Sequence, residues 1–431
     1  MHDHVDLVDE HSYDRRRLRQ FLAGDARADG VDRRVLLKLL AAAGGAAAFG
    51  AAGAAPASAS ASASATVAAA AGIVKPLPPE LFTVRGTNAE SKVASWQGKG
   101  FHTPVDRFFV RNHTSTPVLD ADSWSLKVWG SGLRGGRAAE FGLDDLRRLP
   151  AVTTDALVEC AGNGRSYFTS QQGESVTGTT WGLGAIGSAR WRGVRLGDVL
   201  KRAGIARDAV DVQPRGLDAD YVTADGANLG RVRRPLPVAK ALGDVLLAYE
   251  MNGEPLPHDH GHPVRVLVPS WVGIASIKWV GDIEVSDVPL YSPWNTDFYR
   301  LFGAAYPPGG TEPLTRQPVR STFELAAGAE FAAGETHTLT GRSWSGKGGI
   351  ASVEVSTDGG ATWTRARLRD PARAHNWVRW SARWRPVRGG ETELLARATD
   401  TRGNRQPERT VHNTQGYLFD AVVRHPVTVV A

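Results

Sequence analysis

The sequence predicts an α+β fold: a mixed domain of short strands and short helices, followed by an all-β sandwich. Three observations carry that reading. Between residues 71 and 305 apolar strand-like and helix-like runs alternate without the regular βαβ spacing of a doubly wound sheet. From about Thr311 the texture turns to β only, with alternating runs separated by Asp/Gly turns. At 431 residues the chain exceeds one ordinary core, so two domains and an appendage are expected.

Residues 1–30 are charged and show no core pattern. Asp32-Arg33-Arg34-Val35-Leu36-Leu37-Lys38 then leads into a weakly apolar Ala/Gly/Leu stretch, and Ala55-Pro56-Ala57-Ser58-Ala59 offers small-x-small cleavage sites. That order resembles a twin-arginine export signal with a long n-region. Residues 1–70 therefore read as export signal and low-complexity linker, and the product as periplasmic or otherwise extracytoplasmic.

In 71–305, Phe108-Phe109-Val110 and the alternating Trp124–Trp129 are strand-like. Asp144–Leu149 reads as a short helix, and Val194–Ala203 as an amphipathic helix closed by Gly204. Val210–Val212 and Val264–Val268 read as strands. In 306–431, Ala351–Ser356 alternates, Asp358-Gly359-Gly360 turns, and Thr362–Leu368 returns as the second arm of a hairpin. Glu391–Thr399 adds a further strand, giving an immunoglobulin-like sandwich that uses no disulfide.

Composition narrows the function. An apolar content of 42% and a charged content of 22% fit a soluble globular protein, and a net charge of +6 is a mild excess. No Lys/Arg run interleaved with aromatics occurs in the body of the chain, which argues against nucleic acid as a partner. A single cysteine excludes an intrachain disulfide and a c-type haem attachment.

That cysteine, Cys160, lies in Asp155–Arg165. The apolar Ala156, Leu157 and Val158 read as the end of a strand, and Ala161-Gly162-Asn163-Gly164 forces a tight turn. The thiol is thus presented at a strand end beside Arg165, whose cation favours a thiolate. On residue chemistry alone a thiolate-ligated metal centre and a nucleophilic cysteine hydrolase are equal candidates, beside a plain packing thiol.

Cys160-Ala161-Gly162-Asn163 resembles the cofactor loop of the sulfite oxidase family of molybdopterin enzymes. The likeness extends upstream to Phe108-Phe109-Val110-Arg111-Asn112-His113 and downstream to 184–200, 246–265 and 273–280, in the family's order. It implies a molybdopterin-binding catalytic domain in 71–305 and a sandwich domain in 306–431 that forms a homodimer. It makes Cys160 the single protein ligand to molybdenum. Arg111, Asn112, His113, His260, Arg265, Ser276 and Lys278 become contacts to the molybdenum–molybdopterin cofactor. Arg111, Arg165 and Trp181 match substrate-pocket positions, with Arg373 supplied by the sandwich domain. Two guanidiniums suit planar, bidentate capture of an oxyanion such as sulfite. The implied reaction is oxidation of sulfite to sulfate by oxygen-atom transfer. With no haem on this chain, electrons pass to an external acceptor such as a cytochrome c. The same cofactor also serves sulfoxide reduction, including methionine sulfoxide, which stands as the alternative. A secreted binding protein without metal is the remote one.

Two departures from the family pattern stand out. Gly164 replaces the first of two arginines, and the position aligned with the family's active-site tyrosine falls near Val232, with Tyr221 the nearest tyrosine upstream. Two decoys are set aside. Gly182-Leu183-Gly184-Ala185-Ile186-Gly187 matches a dinucleotide fingerprint but lacks its strand and helix context. His258, His260 and His262 have spacing a zinc ion would accept, yet Pro257, Gly261 and Pro263 break the segment, and His258 and His262 are left unassigned.

Overall fold

Alternation and burial build the first sheet of the catalytic domain. The Ala151–Glu159 strand starts exposed and ends buried, so its last residues enter the core just before Cys160. It pairs antiparallel with Ile186–Arg195, Glu159 opposite Ile186. The second of these pairs in turn with Leu246–Met251, which also carries Glu254–Pro255 and Arg265–Leu267. The computed structural model describes residues 72–431, and the export-signal reading of 1–70 lies outside the described residues.

A second five-stranded sheet runs in the order Ala139–Gly142, Ser125–Trp129, Val280–Ser286, Asp211–Gly216, Leu236–Pro237. Only the Ser125–Trp129 and Val280–Ser286 pair is parallel. The helix Leu196–Ala203 buries Leu196, Val199 and Leu200, the i, i+3, i+4 stripe that places one face on the core. Gly204, at φ 86°, closes it in the left-handed conformation. Val194, expected at the helix start, belongs to the preceding strand.

Phe108–Val110 is not a strand. A 3₁₀ turn at Val105–Arg107 precedes it, and only Val110 bridges, to Ala89. The physical reason is that Phe108 and Phe109 are both buried, their rings stacked 5.5 Å apart. Two consecutive inward rings are incompatible with the alternating faces of a strand.

The sandwich stacks a four-stranded sheet against a five-stranded one. The first orders Arg320–Phe323, His337–Trp344, Val378–Trp384, Arg367–Leu368; the second orders Glu330–Ala332, Arg424–Val430, Gly390–Asp400, Ile350–Ser356, Thr364–Arg365. The expected return arm Thr362–Leu368 splits between them. Thr364–Arg365 pairs with Ile350–Ser356, whereas Arg367–Leu368 pairs with Val378–Trp384 in the other sheet. Ala366, buried at the switch, lets the chain cross from one sheet to the other.

The sandwich is seated on the catalytic domain by polar contacts. Arg342, buried against Trp96 and Trp377, donates to the carbonyls of Trp96, Gly100 and Phe101. Leu157 N–H donates to His375 O at 3.0 Å, and Leu418 N–H to Ala161 O at 2.9 Å. The second of these reaches the residue after Cys160.

Candidate functional site

Cys160 sits where the strand gives way to a turn. Its N–H donates to Ala185 O at 2.9 Å, and its carbonyl accepts from Asn163 N–H at 2.9 Å. Asn163 then ties the turn on both sides, donating to Glu159 Oε1 at 2.9 Å and accepting from Ala185 N–H at 3.0 Å. Gly164 has φ +82°, and a Cβ there would approach Phe419 to 3.2 Å. The glycine that departs from the family pattern is therefore required by a left-handed turn and by the sandwich segment that crosses it.

The thiol opens into a cavity of about 80 Å³. Arg111, Asn112, His113, Cys160, His260, Arg265, Ser276 and Lys278 all line it, so the eight expected cofactor contacts converge from four separate segments. Asn112 is held by Asn88 and Thr116, and Lys278 Nζ donates to Asn112 Oδ1 and to Asp259 O. Arg265 donates to His260 O at 3.0 Å and Ser276 O at 3.1 Å, and its guanidinium lies 5.0 Å from the Trp191 ring centre. Ser276 Oγ accepts from Val268 N–H at 3.0 Å. His113 Nε2 accepts from Trp294 Nε1 at 3.1 Å, which leaves that ring neutral with its proton on Nδ1.

The charges are unbalanced. Burial, and then the Arg265 guanidinium, push Lys278 well below its usual value, and burial lowers Arg265 to about 9. His260 is held well below its usual value by burial and by Lys75, Lys278 and Arg265. Burial also opposes the Arg111 charge, yet Tyr299, Cys160, Tyr417 and Tyr221 together hold its pKa above normal. Burial raises Asp218 to about 6, against Lys278 and Arg231. His260 Nε2 and Asp218 Oδ1 are buried with no hydrogen-bond partner among the described residues. Buried polar atoms without partners, beneath an excess of crowded cations, fit a large anionic heterocycle that brings its own N–H groups and phosphate. The soft sulfur of Cys160 fits a metal carried by that group.

The substrate-side expectations divide. Trp181 is fully buried in the same apolar cluster as Cys160, Phe108 and Phe109, behind the cavity wall rather than on it. Arg165 is buried against the Cys160 turn, its Nε donating to Gln415 O at 2.9 Å and Nη1 to Thr179 O at 2.8 Å. Arg373 does not reach the site: it is largely exposed and turns to Asp155, at 3.5 Å. That carboxylate also gathers His102 and Arg190, so it is the nearer attraction for the cation.

Tyr299, well downstream of the tyrosine-free position near Val232, is the phenol that lines the cavity. Val232 lines the cavity too, as an apolar wall. Tyr221 approaches from the side, its ring centre 5.5 Å from that of His113. Sequence reasoning missed Tyr299, Asp218 and Asp259. The only local signals were an acid just after the Asp211–Gly216 strand and an aromatic just beyond the end of Pro293–Thr296. His258 and His262 face each other at 4.9 Å, away from the cavity, and no group of three His, Cys, Asp or Glu able to hold a metal occurs among the described residues.

Comparison with known proteins decides the family. The model of the oxidoreductase molybdopterin binding domain matches residues 113–294, and that of the Mo-co oxidoreductase dimerisation domain matches 322–429. The sulfite oxidase of Gallus gallus is 38% identical over 339 residues, covering 74% of this chain and 72% of that protein. The chain belongs to the sulfite oxidase family. Mitochondrial sulfite oxidase of Homo sapiens is likewise 38% identical over 341 residues, and the match covers 75% of this chain but 61% of the human protein. Among solved structures, the sulfane dehydrogenase SoxCD of Paracoccus pantotrophus superposes with a TM-score of 0.67 at 27% identity, covering 78% of this chain and 83% of that one. This member of the sulfite oxidase family thus carries the molybdenum–molybdopterin binding domain, and the Cys160 cavity is the place in it with the chemistry to hold that cofactor.

Proposed function

We propose that the chain oxidises sulfite to sulfate, with Cys160 as the protein ligand to molybdenum. The observation that carries this reading is the convergence of the Arg111 guanidinium and the Tyr299 phenol on the Cys160 end of the cavity, with Arg165 beside them. When bound, the cofactor supplies oxygen-atom transfer and takes up two electrons.

The residues of the chain do the rest. Arg111 and Arg165 offer the oxyanion a fixed positive field in a buried site, where such a field is strongest. Burial pushes the Tyr299 phenol above its usual value, so it remains a neutral donor to a sulfite oxygen. Phe108 and Phe109 form an apolar wall, backed by Trp181, that keeps the thiol in place and water out. Asn112, His260, Arg265, Ser276 and Lys278 hold the pterin and its phosphate. A sulfoxide is neutral and would bring neither guanidinium a counter-charge, which disfavours the reductase reading.

Electrons leave to an external acceptor such as a cytochrome c, the sandwich domain pairs two copies, and Arg33-Arg34 directs export. The test is elemental analysis with sulfite-dependent cytochrome c reduction, on cofactor-replete wild type and Cys160→Ser in parallel. One molybdenum per chain, with activity that Cys160→Ser abolishes, is the expected result; a chain that takes up no molybdenum would sink the reading. Sedimentation of the same preparation tests the dimer, and cell fractionation tests export.

A further inference from the structure

We propose that Tyr417, carried into the site by the sandwich domain, is a specificity-determining donor of the oxyanion pocket: its hydroxyl hydrogen-bonds an oxygen of the bound anion while its ring fixes Tyr299 and Arg165. The inference rests on the oxyanion reading above and names a residue beyond it.

The segment Asn413–Phe419 is built to deliver this side chain. Asn413 brackets it, accepting from Tyr417 N–H at 2.8 Å and donating to Tyr417 O at 2.9 Å. On one side Gln415 O accepts from Arg165 Nε at 2.9 Å; on the other, Leu418 N–H donates to Ala161 O at 2.9 Å. The backbone around Tyr417 is therefore pinned both to the Cys160 turn and to the arginine beside it. Gly416, at φ +60°, lies so close to Arg165 that a Cβ would come within 2.7 Å of its side chain.

The ring then makes two contacts. It stacks on Tyr299 with centres 5.1 Å apart and planes 12° from parallel, and the Arg165 guanidinium carbon lies 5.1 Å from its centre. Tyr417 is 7% exposed and Tyr299 5%, yet neither hydroxyl hydrogen-bonds any described residue. Tyr417 does not itself line the cavity wall but packs on Tyr299, which does, and the charged and titratable groups that act on it electrostatically are Tyr299, Arg165, Cys160 and Arg111. Burial raises the phenol, so the group is a neutral donor throughout the working range. Two buried donors without protein acceptors, between two guanidiniums, are complementary to an anion with several oxygens. The backbone supports the same conclusion. Tyr299 and Leu418 both hold positive φ, 58° and 53°, a conformation non-glycine residues adopt at a cost and which clusters at functional sites.

The chemistry sets the selectivity. A pyramidal or tetrahedral oxyanion offers several oxygens for Arg111, Arg165, Tyr299 and Tyr417 to share; a substrate with one oxygen does not. Tyr417→Phe removes only the hydroxyl and keeps the stack, so the fold is preserved. In molybdenum-loaded full chain, Tyr417→Phe is expected to weaken sulfate binding, measured by titration calorimetry, about tenfold, and to raise KM for sulfite by a similar factor. Molybdenum content and melting temperature should match wild type, and kcat should fall by less than KM rises. Tyr417→Val, which also removes the stack, is expected to weaken sulfate binding further. If Tyr417→Phe binds sulfate within twofold of wild type and its KM is unchanged, the ring is packing only and the proposal is overturned. Loaded wild type that binds sulfate but does not oxidise sulfite would refute the sulfite reading, while the sulfate affinities still decide Tyr417. Loaded wild type that binds no sulfate would overturn both.

Discussion

Lys75 shows what one buried cation reveals about this site. Its ammonium donates to Val105 O and Phe108 O, directly behind the cavity wall, and burial lowers its pKa to about 7 against the pull of Asp259 and Asp106. The unfolded chain binds that proton up to about pH 10, the ordinary lysine range, whereas the folded chain releases it near 7. Between these values the unfolded state holds more protons, so stability rises with pH, by roughly 1.4 kcal/mol per pH unit for one full proton. In cofactor-free protein, Lys75→Met is expected to flatten the rise in urea-unfolding free energy between pH 7 and 9. A slope unchanged by the substitution would show that the amine is charged in the fold. At this scale the site was legible unevenly. Cys160, Arg111, His260 and Lys278 stood out because each lies in a local motif. Tyr299 and Asp218 did not, because what brings each to the cavity is its proximity to segments far away in sequence.

Glycines do comparable work for the elements. Gly184 precedes the Ile186–Arg195 strand, and a Cβ on it would stand 1.8 Å from the Ser91 carbonyl oxygen. Its N–H also donates to Glu90 Oε1 at 3.1 Å, so the hairpin Phe82–Arg85/Asn88–Ser91 is clamped against the strand that carries Ala185 to the Cys160 turn. The Gly-x-Gly-x-x-Gly pattern there serves close backbone approach, with no helix following to bind a phosphate. Gly184→Ala is expected to cost about 1–3 kcal/mol of stability or more, since backbone must move to admit the methyl. A melting temperature equal to wild type would show that the hairpin is not clamped. The helix Leu196–Ala203 and the Gly390–Asp400 strand were readable from period and cap. The Phe108–Val110 segment and the split Thr364–Arg365/Arg367–Leu368 arm were not, because tertiary packing, rather than local pattern, selected which faces turned inward.

Across the whole molecule, one buried ion pair joins the two domains next to Cys160. Glu159, the residue before Cys160, meets Arg320 of the sandwich at 2.6 Å, with both side chains almost wholly buried. Burial raises the Glu159 pKa despite Arg320 and Asn163, so the pair is held at a cost. Breaking such a pair from one side leaves an uncompensated charge; removing both charges does not. Arg320→Gln is accordingly expected to lose about 3–5 kcal/mol, and Glu159→Gln/Arg320→Gln to recover a large part of it. Equal losses in the single and double variants would mean the pair carries no coupling between the domains. Leu418, Gln415 and Tyr417 act across the same boundary, so the sandwich reaches the Cys160 turn, Arg165 and Tyr299 as well as carrying the region that matches a dimerisation domain.

The sequence by itself determined the α+β architecture, the β-only C-terminal half and the Cys160 turn, because periodicity, turn chemistry and a lone thiol in a Gly/Asn turn are local properties. The tertiary structure alone decided that Tyr299 supplies the phenol, that Arg373 goes to Asp155, and that Glu159 and Tyr417 answer to the opposite domain. Those outcomes depend on which distant side chains share a buried space, where desolvation and charge balance, rather than neighbouring residues, set the lowest free energy.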